Sequence, residues 1–349
     1  MAYLLCRAAL PAAAAAAALV PWPREGVDRI YARGIYPHIQ PLLTRATNTV
    51  PFAWLDVLIA VAGVSVIWVA VRARRRGATR LVALGASIWH AVALVSAAYL
   101  LFLALWGLNY QRPAVDRRFA VAPVLVQPAR LRLVSILAVR QLNHLYDPQD
   151  RFAEAAPSDL VVALAPAFAQ AQLELGSTWH AIPGRPKHSS IAATFRWIAV
   201  DGLTNPFGLE IVLNPELLPV ERPFVLAHEW AHLAGHADEG EATFTGWLTC
   251  LHGPRAAQYS AWLGLLVHLV RALPPEERQM LLRNLGRGPT ADWRQLLERY
   301  RRSNAFLRQI SWRVYDRYLK ANRVESGIES YDDVVRLVLG APVAQRFVQ

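Results

Sequence analysis

The sequence predicts a membrane-anchored α+β chain, with two to three N-terminal transmembrane helices followed by a mostly helical domain carrying a small sheet. Three observations predict it. Leu81 to Leu108 runs without a formal charge, and the stretch is long enough to cross a bilayer with tilt. A second apolar run ends at Val71, and the RARRRGATR segment that follows holds five Arg and no acid. Beyond residue 110 the apolar residues recur at helical spacing between Gly and Pro breaks, as in a packed globular domain.

Composition agrees. The 349 residues are 54% hydrophobic and 18% charged, too apolar for an ordinary soluble enzyme and far from disorder. The formal charge of +11 raises the question of nucleic acid. Residues 1–112 hold 11 Arg and no Lys against Glu25, Asp28 and Asp56. The charge therefore belongs to the membrane-proximal third, and no nucleic-acid partner is expected. Two cysteines, Cys6 and Cys250, exclude a disulfide scaffold and a cysteine-based zinc finger.

The membrane domain is read as residues 1–109. Residues 4–20 are a possible helix or a signal peptide, with an alanine tract interrupted by Pro11. Transmembrane helices are expected at about 52–71 and 81–108, enclosing a loop at 72–80 that the positive-inside rule places in the cytoplasm. The partner here is the lipid bilayer, expected to be a bacterial inner membrane. His90, inside the second span, reads as structural. This topology puts residues 110–349 on the extracytoplasmic side.

In that domain helices are expected at 128–145, 158–175, 222–233, 241–251, 256–273, 275–285, 292–320 and 331–339. Ala256–Leu273 reads as a buried or interfacial helix, and the basic stretch Arg294–Arg323 as a solvated face. Strands are expected at 190–200 and 207–213, with Gly202, Asn205 and Pro206 as the turn between them.

Residues 224–244 read FVLAHEWAHLAGHADEGEATF. His228 and His232, four apart, project from one face of a helix. That spacing suits two imidazoles on one Zn²⁺, with Glu229 as general base to a zinc-activated water. Three acids compete for the third ligand position. Glu239 is preferred over Glu241, since the two point about 200° apart on a helix and only one can face the metal; Asp238 is the weaker alternative. Asp238 with Glu241 also makes a capping-box pattern. His236 reads as a surface or supporting residue. Tyr259 and His252 are candidates for stabilising the transition state.

The sequence resembles the bacterial family of domain of unknown function 3810, membrane-anchored proteins with an HExxH motif. The resemblance rests on VPFAWLDVL at the first long span, WGLNYQR at 106–112, RPK at 185–187, HEWAHLAGHADEGEATF, and YLKANRVESGIESYDDVVRLVL near the end. Where the family carries Glu-Asp-Glu-Ala-Asn-Phe, this chain reads Glu239, Gly240, Glu241, Ala242, Thr243 and Phe244. The resemblance implies a zincin-like, gluzincin-type domain and no particular substrate. The function expected is therefore a membrane-anchored zinc metallopeptidase acting on a peptide or protein substrate, with an edge strand, 190–200 or 207–213, pairing with it. The alternative is a non-catalytic envelope receptor or scaffold with a structural zinc site closed by a fourth protein ligand.

Overall fold

The computed structural model describes residues 2–113, 115–150, 156–303 and 333–348, with side chains omitted at 2–8, 115 and 116. The fold is mostly helical with one three-stranded sheet. Helix α1 is Ala2–Leu19. Arg24–Gly26, the π-helical Val27–Ile35 and Tyr36–Asn48 follow one another without a break, and residues 24–48 are called α2. Helices α3 (Trp54–Arg75) and α4 (Arg80–Leu105) are each long and apolar enough to cross a membrane. They pack against each other, and His90 Nε2 lies 3.2 Å from Ser65 Oγ across the pair. That contact satisfies the imidazole within the helical pair.

Helices α5 (Pro128–Leu145) and α6 (Pro157–Glu174) fall at the expected positions. Next come α7 (Ala192–Ile198), α8 (Arg222–Leu233), α9 (Glu239–Leu251) and α10 (Arg255–Ala272). Helices α11 (Pro275–Arg283), α12 (Arg287–Arg302) and α13 (Asp333–Gly340) follow, with short helical turns at Val115–Arg118 and Gln345–Val348 besides. The expected helix 292–320 is present as far as Arg302; 304–332 lie outside the described residues. Helix α10 is a core helix, with Leu265, Leu266 and Leu269 fully buried, as the reading of 256–273 as a buried helix expects. Arg299, expected on a solvated face, is buried and bridges Asp201 at 2.8 Å and Glu221 at 2.5 Å. It fixes α12 to the approach of α8.

The sheet corrects the expected strands. Residues 190–200 hold helix α7, closed by Ala199 with φ 56°. Ala192 and Phe195 are both buried, one helical turn apart, so one-sided packing overrides the β propensity of Ile, Thr and Val. Strand β2 is Gly202–Asn205, the stretch expected to be a turn. The turn lies at 206–209, where Leu209 has φ 46°, and it shortens the expected strand 207–213 to β3, Glu210–Leu213. β1, Pro186–Lys187, pairs parallel to β3 while β2 pairs antiparallel to it, in the order β1-β3-β2. β2 is thus an edge strand, and it lies against α8.

Helix α2 packs into the same body. Tyr36 Oη donates to Leu233 O at 2.8 Å, Thr44 Oγ1 to Leu209 O at 2.8 Å, and Gln40 Nε2 to Ile182 O at 2.9 Å. Residues 24–48 therefore support the end of α8 and the turn before β3.

Candidate metal centre

Helix α8 carries the HExxH motif and ends where it must. Gly235, with φ +81°, takes the left-handed position after the helix, and its N–H bonds to His232 O at 3.0 Å. The chain turns back, and Asp238 caps α9 by accepting from the N–H groups of Gly240 at 2.9 Å and Glu241 at 3.1 Å. Gly246 lets the helices touch: a Cβ there would lie 2.8 Å from His228 N. This close crossing brings the first turn of α9 over the histidine face of α8.

His228, His232 and Glu239 come together. Their ligand atoms all lie within 4.8 Å of one another, with Glu239 Oε2 at 3.3 Å from His228 Nε2 and 3.7 Å from His232 Nε2. Both imidazoles are aimed from their far nitrogens. His232 Nδ1 donates to His236 O at 2.7 Å, which turns Nε2 towards the cluster. His228 Nδ1 lies 3.3 Å from Thr243 Oγ1, one turn along α9 from Glu239. Threonine thus occupies the supporting position where the family pattern has asparagine. Trp106, next after α4, donates Nε1–H to His232 O at 2.8 Å and sets its ring edge-on to the imidazole.

Charge follows the same geometry. Burial presses His232 towards its neutral form, but the Glu239 carboxylate outweighs it and raises the imidazole to about 9. Burial also works against the Glu239 carboxylate, and its bonds to His228 and His232 overcome this, holding it well below the usual range. Glu229 is raised, chiefly by burial, with the two histidines opposing. Its Oε2 accepts from Thr204 Oγ1 at 2.7 Å, and a Cβ on Gly202 would lie 2.4 Å from Oε1. Strand β2 thus walls and clamps the Glu229 carboxylate.

The other expected site residues are not part of the cluster. Glu241 is buried on the opposite side of α9, where it pairs with Arg118 and lies 3.4 Å from His236 Nδ1; a guanidinium holds that carboxylate. Asp238 is spent on the helix cap. His252, at the far end of α9, lies about 20 Å from Glu239 by helix rise and pairs with Glu174 at 2.8 Å. Tyr259 donates its hydroxyl to Asp292 Oδ2 at 2.6 Å and packs on Tyr146. Both are corrections: neither offers a proton to the cluster.

Sequence reasoning missed Thr204, Gly202, Arg118 and Trp106. Only Trp106 carried a signal, as the first residue of the WGLNYQR motif that follows the apolar run. The family model for Protein of unknown function (DUF3810) matches residues 31–339. The chain belongs to that family. The match spans most of α2, both long apolar helices, the sheet and the His228–His232–Glu239 cluster. No curated protein matches this DUF3810 chain, and no solved structure does.

Proposed function

We propose that the protein is a membrane-anchored metallopeptidase of zincin-like, gluzincin-type design, with α3 and α4 as transmembrane spans and the site outside the cytoplasm. The observation that carries the reading is the donor set: two imidazoles and one carboxylate converging, with a buried second carboxylate, Glu229, beside them. Two nitrogens and one oxygen are the ligand chemistry of a catalytic zinc site, which leaves a position for water or substrate. Among the described residues no fourth protein ligand joins the group; the two groups that could close it, Glu241 and His236, are turned to each other and to Arg118. That disfavours the structural-zinc scaffold.

Bound there, Zn²⁺ would supply Lewis-acid polarisation and activation of water. His228, His232 and Glu239 would hold it. Glu229 takes up a proton at its carboxylate and returns it to the leaving amine, and burial, by raising its proton affinity, suits it to both steps. Thr204 fixes the rotamer of Glu229 by donating to Oε2. β2, the edge strand against α8, has the free backbone groups that pair with an extended peptide; this replaces both strands expected from sequence.

The test compares wild type with Glu229→Gln and His228→Ala in detergent-solubilised full chain. Metal analysis should give one zinc per chain for wild type and Glu229→Gln and a loss for His228→Ala, while peptidase activity is lost in both variants. Full activity in Glu229→Gln would refute the mechanism, and full zinc in His228→Ala would refute the ligand set.

A further inference from the structure

Resting on that reading, we infer that the substrate is a membrane-anchored polypeptide, cut close to its anchor, because the two apolar helices and α2 set the metal centre at the bilayer surface.

Helix α4 serves as a ruler. Its exposed apolar side chains run from Leu81, 80% exposed, to Leu101, 48% exposed, with Ala83 and Ser96 buried against neighbouring helices; past Leu101, Phe102, Leu103 and Trp106 are buried in the core that contains α8. At 1.5 Å per residue, Leu81 to Leu101 covers about 30 Å, the thickness of the hydrocarbon layer. The outer boundary therefore falls near Leu101. Trp106, five residues later, is bonded to the backbone of a metal ligand. Five residues of helical rise are about 8 Å.

Helix α3 gives the same boundary independently. Its exposed apolar residues run from Trp54 to Val71, and the arginines begin at Arg72. At its outer end the N–H groups of Trp54 and Leu55 donate to the Glu210 carboxylate, each at 3.0 Å. Glu210 also accepts from Asn205 Nδ2 at 2.9 Å, and Asn205 ends β2, the strand that clamps Glu229. α3 thus finishes on Glu210, which holds the end of β2, and the residue that follows α4 is bonded to the backbone of His232.

Helix α2 lies at the same level. One face is buried against α8 and the turn before β3, while Ile30, Ile35 and Leu42 are exposed on the other, interspersed with the exposed Arg29, Arg33 and Arg45. An apolar face fringed by arginine is what an interfacial helix presents to lipid and its phosphates. A site about 10 Å above the hydrocarbon is reached by about three extended residues rising from it. A chain held to the membrane at that distance is delivered to β2 at high effective concentration. A soluble chain must approach a surface partly closed by lipid.

The test uses the full chain in phosphatidylcholine nanodiscs. A nitroxide at Arg185→Cys in a Cys6→Ser background reports depth; Arg185 is exposed and bonded to Asn48 at the end of α2, and Cys250 is buried. Mn²⁺ added alone reports the site itself, through broadening of a headgroup-labelled lipid, with His228→Ala as the blank. The expectation is a nitroxide at headgroup depth, within about 10 Å of the phosphates, and Mn²⁺ broadening lost in the blank. A nitroxide relaxing as in bulk water overturns the inference; a surface nitroxide without Mn²⁺ binding overturns the metal reading instead. The second arm is a pair of single-span reporters, with a randomised cassette tethered to the membrane helix by a linker of about 5 or about 40 residues, so that only the long one escapes the surface. At least tenfold faster cleavage of the short-linked reporter is expected. Equal rates overturn the substrate class alone, and no cleavage of either overturns the peptidase reading with it.

Discussion

Replacing Gly202 by alanine is the most selective perturbation of the proposed general base. The added Cβ would lie 2.4 Å from Glu229 Oε1 and 2.9 Å from both Cδ and Cγ. Ordinary carbon contact needs about 3.5 Å, so the carboxylate must retreat by about 1 Å. A displacement of that size at a reacting group costs about 100-fold in rate, or about 2.7 kcal/mol of transition-state stabilisation. The substitution leaves His228, His232 and Glu239 untouched, and in a strand alanine itself favours the fold by about 0.5–1 kcal/mol over glycine. Gly202→Ala should therefore keep its zinc and its melting temperature within a few degrees while kcat falls about 100-fold. Gly63→Ala, where nothing lies within 4 Å of the new Cβ, is the control for handling in detergent. The assays are zinc content, thermal unfolding and turnover of a peptide-library substrate. Activity within threefold of wild type, with metal retained, would refute the placement of Glu229 as the base.

Three further outcomes follow from the same geometry. Thr204→Val removes the donor to Glu229 Oε2 and should lower kcat about 10-fold with KM unchanged, read by steady-state kinetics; Thr204→Ser should restore most of it. Zinc binding at pH 7 should release about one proton, because His232, raised to about 9, is protonated when metal-free and must be neutral to ligate; calorimetry in buffers of different ionisation enthalpy reads it, and the release should fade above about pH 9. In the metal-free protein the sign is set by the same pair: the raised His232 stabilises the fold below its unfolded value of 6.5 and loses that contribution as pH rises through about 9. The depressed Glu239 stabilises it above 4.5 and loses that contribution as pH falls further. Unfolding midpoints, read by denaturant titration across pH, should thus be highest between about pH 4.5 and 6.5.

Much of the site was legible because its determinants are local. Four-residue spacing alone puts His228 and His232 on one face, and the half-turn and more that separates Glu239 from Glu241 around the helix requires that they serve different partners. The positive-φ Gly235 and the cap at Asp238 lie within the same short stretch. What was not legible depends on distant chain. Thr204 clamps Glu229 from 25 residues away, and nothing in GLTN distinguishes a strand from a turn until β3 pairs with it. Residues 190–200 have the composition of a strand, yet burial of Ala192 and Phe195 on one side makes them a helix. Tyr259 and His252 were chosen for chemistry alone, and Asp292 and Glu174, the acids that engage them, lie far off in sequence.

On the proposed metal reading, the division of labour between the two glutamates is a way for a buried cluster to select its own ligand. A helix that carries two acids beside a metal site risks presenting the wrong one, or both. Here Arg118, its side chain largely but not fully buried, takes Glu241, and Glu241 in turn stands beside His236, whose backbone carbonyl accepts from His232 Nδ1. Each link positions the next: guanidinium on carboxylate, carboxylate beside an imidazole that burial keeps neutral, and carbonyl on the ring nitrogen that faces away from the cluster. The chain Arg118–Glu241–His236–His232 therefore keeps one acid away from the centre and aims a histidine into it. Removing either charge leaves its partner buried and unpaired, which costs several kcal/mol. Arg118→Met should accordingly weaken zinc binding through a residue that touches no ligand, and in Arg118→Met/Glu241→Gln, where no buried charge is orphaned, most of that affinity should return. Equal zinc affinity in wild type and Arg118→Met would show that the chain has no part in setting His232.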